Sequence, residues 1–282
     1  MQQHQKVWPL NVMSRVLAVS RSGYYAWQKR QPSGRCHRRT MLSAAIREVH
    51  QSSRRTYGSP RVTAALKKDG VRCCVNTVAR IMREGGLAAK VKRRFKVTTD
   101  SSHDLPIAPN RLDRQFDRRR PNEAWASDIT FIATGEGWLY LATEMDLYSR
   151  RIVGWSLSDR LTADLVLDAW AMAVGRRRPP AGLLHHSDRG CQYASRAFRE
   201  MLAAHGAVCS MSRKGNAYDN APMESFYSTL KRELIHQKTY ATRNQARTDV
   251  FEYIEVFYNR QRLHSTLGYQ SPADFETNGD SP

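Results

Sequence analysis

The run "WASDITFIAT", Trp125 to Thr134, decides the fold. Its β-branched and aromatic residues argue for a strand, and two more runs of the same texture follow, "WLYLATEMDLY" and "RIVGWSLSD". The turn Gly135-Glu136-Gly137 joins the first two, so the spacing predicts an antiparallel three-stranded meander. Downstream, "TADLVLDAWAMAVGRR" places Leu165, Val166, Ala169, Trp170 and Ala173 on one helical face. "GLLHHSD" reads as a short buried strand ending at Asp188, and a helix "SRAFREMLAAHG", a strand "AVCSMS" and a long helix from Pro222 to about His236 follow. The order βββαβαβα predicts an α/β unit: a mixed five-stranded sheet with flanking helices over residues 121–282.

Upstream the texture is helical and basic. Residues 1–120 hold 27 Lys/Arg against 7 Asp/Glu, whereas the remainder is almost neutral, so the whole net charge of +19 resides in the first part. Such asymmetry is the footprint of a polyanion-binding module. Residues 1–40 read as a basic helical segment in which "MSRVLAVSRSGYYAW" puts helical periodicity on both sides of a Ser-Arg-Ser-Gly break. Residues 41–96 read as a small all-α helix-turn-helix region. There "MLSAAIREVHQSS" is one helix, a second starts at Ser59-Pro60 and ends by Gly70, and a third starts at the cap-like Asn76 and stops at Gly85-Gly86. The third carries Arg80 and Arg83 beside a Val78/Ile81/Met82 core stripe; with Lys92, Arg93 and Arg94 just beyond, these are the candidate DNA contacts. Residues 97–120 read as a basic linker.

Several classes of protein are excluded. No apolar run is long enough for a membrane span, and the start lacks a signal peptide's apolar centre, so a cytoplasmic, nucleoid-associated protein is expected. Five cysteines without a C-x-x-C pair suit reduced thiols rather than a disulfide scaffold or a cysteine zinc site.

The carboxylates carry the chemistry. Two-metal phosphoryl transfer requires acids that converge from different elements on hard cations. Asp128 lies inside the first strand, Asp188 at the end of the fourth, and Glu224 in the first turn of the last helix, with 35 residues between the last two. Lys231, seven residues after Glu224, falls on the same helical face and could hold a phosphate. Two other acids compete: Asp146 ends the second strand near the site, and Asp219, five residues before Glu224, is a rival on spacing alone, although only Glu224 stands in register with Lys231.

With these segments in order, the chain resembles retroviral-integrase-like transposases with an Asp, Asp, thirty-five residues, Glu signature, and most closely the second-frame (OrfB) product of an insertion-sequence-three element. The resemblance rests on "SGYYAW", "RRTYGSPRV", "WASDITFI", "GWLYLATEMDLYSRRIVGW", "HHSDRGCQYAS", "SMSRKGNAYDNAPMESFYSTLKREL" and "FYNRQRLHSTLGYQSP", which span nearly all 282 residues. It implies a ribonuclease-H-like core, Asp128, Asp188 and Glu224 as catalytic metal ligands, and two Mg²⁺ ions per site, with Mn²⁺ able to substitute. It also implies double-stranded DNA as partner through terminal inverted repeats and target, a homo-oligomer on DNA, and a first-frame (OrfA) product as fusion or partner. On this reading His185 and His186 belong to the strand rather than to a hard cation. Two alternatives share the same residues: a nuclease that cleaves without joining, and a DNA-binding regulator with a vestigial core.

Overall fold

The computed structural model describes residues 1–90 and 105–279. Lys92, Arg93 and Arg94 therefore lie outside the described residues. The N-terminal part is helical: α1 (Leu10–Val16), α2 (Arg21–Lys29), α3 (Gly34–Ser52), α4 (Ser59–Lys68) and α5 (Val75–Glu84). Ser20 and Ser33 cap α2 and α3 by accepting the backbone N–H three residues on, which satisfies an otherwise orphaned helical donor. Helix α5 begins one residue before the expected Asn76, with Cys74 as its N-cap, and buries Val78, Ile81 and Met82.

The second part contains β1 (Ala124–Thr134), β2 (Gly137–Asp146), β3 (Ile152–Ser158), α6 (Ala163–Arg177), β4 (Leu184–Ser187), α7 (Cys191–Ala194), α8 (Arg196–Ala204), β5 (Val208–Met211), α9 (Ala221–Glu233), α10 (Arg243–Glu252) and α11 (Pro272–Gly279). The strands form one sheet in the order β3-β2-β1-β4-β5. β1, β2 and β3 pair antiparallel as the meander requires, while β4 and β5 add parallel to β1. This is the expected mixed five-stranded sheet.

Strand alternation sends side chains into two layers. One face carries Trp125 and Val153 against Leu165, Val166, Trp170 and Ala173 of α6 and Phe198 and Leu202 of α8. The other carries Ala126, Ile132, Leu141 and Met145 against Met223, Phe226, Tyr227 and Leu230 of α9. Gly154 permits the close approach of α6: a Cβ there would stand 2.2 Å from the Ala169 carbonyl oxygen and 2.7 Å from the Ala173 Cβ.

The second layer continues into the N-terminal helices, because Ile46, Val62, Leu66 and Val78 belong to the same apolar cluster as Met223 and Phe257. Polar contacts fix the junction. The Tyr57 hydroxyl donates to the Gln261 carbonyl (3.1 Å) and accepts from the Leu263 N–H (2.8 Å). Lys90 donates to the Glu233 carbonyl at 2.9 Å, while the Glu233 carboxylate holds the buried Arg262 through two bonds of 2.9 Å. A charge pair this deeply buried is tolerated only because both partners are fully hydrogen-bonded.

Candidate active site

Asp128 stands in the middle of β1. The parallel register Ala126↔His186 continues to bring Asp128 level with Asp188, which lies one residue past β4. Helix α9 crosses this end of the sheet and carries Glu224 in its first turn. Asp128 responds to all three neighbours: packing around it raises its pKa well above the usual carboxylate range, and Asp188 and Glu224 raise it further. The Ile129 N–H and Lys231 work in the opposite direction. Burial likewise raises Glu224, and it lowers Lys231, whose charge Asp128 supports. Three acids and one ammonium thus share one electrostatic site, drawn from two strands and a helix.

Local hydrogen bonds set the geometry. The Asp188 carboxylate accepts the Gly190 N–H at 2.8 Å, which ties its orientation to the tight turn after β4. Tyr227, three residues after Glu224, donates to the Asp128 carbonyl at 2.5 Å and accepts from the Thr143 hydroxyl at 2.8 Å. Sequence reading missed Tyr227; its position between Glu224 and Lys231 on one helical face was the available signal.

The donor set is all hard oxygen, which suits Mg²⁺ or Mn²⁺ and not a soft metal. A cation between the acids would also relieve the mutual repulsion felt at Asp128. Among the described residues no three His, Cys, Asp or Glu side chains are already drawn to ligand distance of one point. Glu224 is exposed on the rim, so its rotamers are free to adjust.

The remaining acids and histidines take structural roles. Asp146 pairs with Trp125 across the hairpin while Asp128 pairs with Thr143, so the pleat sends the two aspartates to opposite faces. Asp146 accepts from the Asn122 and Tyr148 N–H groups and from Arg177. Asp219 is buried and holds Arg114, Arg213, Asn110 and the Arg213 N–H. Burial opposes its charge, yet these donors keep its carboxyl well below the usual range. His185 donates to the buried Glu144 at 3.1 Å, and Ser127 bridges Glu144 and the Tyr193 hydroxyl beneath β1. His186 lies between Ser210 and Ser212, and burial, with His185 beside it, lowers its pKa to about 4.

In the helical part, Arg80 and Arg83 are exposed on α5, far in sequence from the acids and on the face away from its core stripe. The structure brings Asp128, Asp188, Glu224 and Lys231 together, and neither arginine is among the groups that shift them.

Known proteins carry the same organisation. The integrase core domain family matches residues 118–217 and again 224–279, and the HTH-like domain family matches residues 37–95. The transposase InsF for insertion sequence IS3A of Escherichia coli (strain K12) is 43% identical over 277 residues, covering 98% of this chain and 96% of that relative. The chain belongs to the IS3 transposase family. An uncharacterized 31 kDa protein of insertion element IS600 from Shigella sonnei is 46% identical, covering 93% of this IS3-family chain and 97% of the relative. Among solved structures, a chain of the simian T-cell lymphotropic virus intasome aligns at 14% identity with a TM-score of 0.49, covering 84% of this chain and 75% of that one. The HTLV-2 integrase catalytic core domain, in complex with magnesium, aligns at 16% identity with a TM-score of 0.42, covering 56% and 97%.

Proposed function

We propose that this IS3-family transposase, an enzyme that binds DNA and integrates it, cuts and joins phosphodiesters at Asp128, Asp188 and Glu224. The observation that carries the reading is the convergence of these acids around Asp128 with Lys231 beside them. The three carboxylates would hold two divalent cations, Mg²⁺ or Mn²⁺, which when bound stabilise the charge on the attacking and leaving oxygens. Lys231 would neutralise a non-bridging phosphate oxygen. Tyr227 would keep Asp128 in register with α9, and the Gly190 N–H would keep the Asp188 carboxylate turned toward the site. No serine or tyrosine nucleophile is required: water is the first nucleophile and the freed 3′-hydroxyl the second, each entering in line with its leaving oxygen.

The helical region 41–96 serves as the reader of the terminal inverted repeats, with Arg80 and Arg83 as exposed contacts and Lys92, Arg93 and Arg94 as phosphate contacts. The region 97–120 links it to the catalytic unit 121–282, and residues 1–40 add a basic helical segment. The enzyme works as a homo-oligomer on DNA, alone or with a first-frame product. Its working compartment is the bacterial cytoplasm. Among the described residues no helix is long and apolar enough to cross a membrane.

The test is a labelled duplex carrying the DNA that flanks the gene, incubated with Mg²⁺ or Mn²⁺ and either wild type or Glu224→Gln. Joined products from wild type alone are expected. Nicks without joining would replace this reading with a nuclease, and metal-independent products would remove the carboxylates from the chemistry.

A further inference from the structure

Helix α9 has two working flanks. At 100° per residue, Glu224 and Lys231 leave it about 100° to 160° around the axis from Ser225 and Thr229. Ser225 and Thr229 line a second concavity of about 290 Å³, where α4, the β2–β3 turn, α9 and the C-terminal tail meet. Among the described residues its basic lining consists of Arg61 from α4, Arg150 from the turn, and Arg262 and His264 from the tail, with no carboxylate.

These cations are not equally committed. Arg262 is neutralised by its two bonds to Glu233. Among the described residues Arg150 pairs with the exposed Asp117 alone, at 3.7 Å through Nη2, while its Nη1 is buried with no hydrogen-bond partner. The backbone of Arg150 is held at φ +60°, a conformation that a non-glycine residue adopts at a cost. Arg61 makes no ion pair with a described residue and lies over the Tyr57 ring at 5.8 Å. Burial pushes His264 well below its ordinary pKa, and Arg262, Arg61 and Arg150 push it further, which is the mark of three guanidiniums facing one neutral ring.

A buried guanidinium donor without an acceptor is costly, and a planar N–H fork matches a phosphate. The first turn of α9, through Ala221 and Pro222, also presents the positive end of a 13-residue helix to the cavity. We propose that this cavity receives a backbone phosphate of bound DNA, gripped by Arg61 and Arg150, at the seam between the helical unit and the integrase core. The proposal rests on the chain's binding of DNA. It adds a third grip between the helix-turn-helix surface and the carboxylates, so that one duplex is held across both units.

The test measures duplex affinity against salt for wild type, Arg61→Gln, Arg150→Gln, Arg150→Lys and Arg196→Gln. Arg196 is an exposed α8 residue in an i,i+4 pair with Glu200, so its replacement removes one charge away from the cavity. Arg61→Gln and Arg150→Gln are each expected to reduce the slope of log affinity on log salt by about 1, with Arg150→Lys and Arg196→Gln keeping the wild-type slope. An unchanged slope in Arg61→Gln, or an equal reduction in Arg196→Gln, overturns the cavity. A wild type that fails to bind duplex removes the DNA reading beneath it. A footprint on wild type covers the case in which Arg150→Gln does not fold: phenylglyoxal should label Arg61 several-fold less in the DNA complex. Equal labelling with and without DNA overturns the proposal.

Discussion

Tyr227 shares a helical face with Glu224 and Lys231, yet it acts on the strand rather than on solvent. Its hydroxyl joins the Asp128 carbonyl to Thr143, so the spacing between α9 and β1 depends on it. Tyr227→Phe should leave the chain folded at a cost of about 1–2 kcal/mol and lower the joining rate more than the affinity for DNA. Single-turnover joining and duplex binding measured on one preparation check this. The buried histidines set a second expectation. His186 is held down to about 4 by burial, with a further contribution from His185, so the unfolded chain binds a proton there that the folded chain refuses. Stability is then present above about pH 6.5 and lost as pH falls from there toward 4, by about 2 kcal/mol at pH 5. Urea midpoints at pH 7 and pH 5 should differ in that direction, and His186→Asn should narrow the difference. At this scale the placement of Asp128 in a strand, Asp188 at a strand end and Glu224 in the first turn of a helix is legible, because strand and helix patterns are local. The opposite facing of Asp146 was also within reach. A two-residue turn at Gly135-Glu136 fixes the hairpin register, and the register pairs Trp125 with Asp146 and Asp128 with Thr143.

Among the elements, α6 shows how one residue sets a layer. Gly154 lets the helix backbone approach β3 closely enough that Trp170 packs on Trp125 at 5.4 Å between centroids. Gly154→Ala must push α6 away or bend β3, and a loss of about 1–3 kcal/mol is expected, read as a lower urea midpoint. Joining activity should fall less than stability, because Asp128 and Glu224 lie on the other face. Element boundaries were mostly legible from punctuation. The helix expected from Pro222 to about His236 is α9, which ends at Glu233, and Ile235–Gln237 then tightens into a 3₁₀ turn. The chain leaves helical geometry at Leu234, just past Glu233, whose buried pairing with Arg262, 29 residues away, leaves no mark on local periodicity.

Across the whole molecule, the helical unit and the integrase core are joined by contacts between sequence-distant residues. Tyr57 bonds Gln261 and Leu263, Arg54 pairs with Glu252, and Lys68 pairs with Asp274. Exposed pairs such as Lys68–Asp274 contribute little, so the buried Tyr57 hydroxyl and the shared apolar cluster hold the seam. Tyr57→Phe leaves the Leu263 N–H unsatisfied and should cost about 1–3 kcal/mol. Limited proteolysis of the variant should release the helical unit sooner than in wild type, and equal rates would move the seam's strength to the apolar cluster. None of this was legible in sequence: composition announced a basic helical region, but which surface it rests on depends on tertiary pairing.

The reach of the Tyr57 bond bears on biosynthesis. Its hydroxyl and its acceptor are 204 residues apart, so this bond forms only after almost the entire polypeptide has left the ribosome. A product that stops short of Met223 could still form its five strands, all of which precede it, but its N-terminal helices would display an uncovered apolar face. Such a fragment would offer to proteases a surface that the finished chain buries.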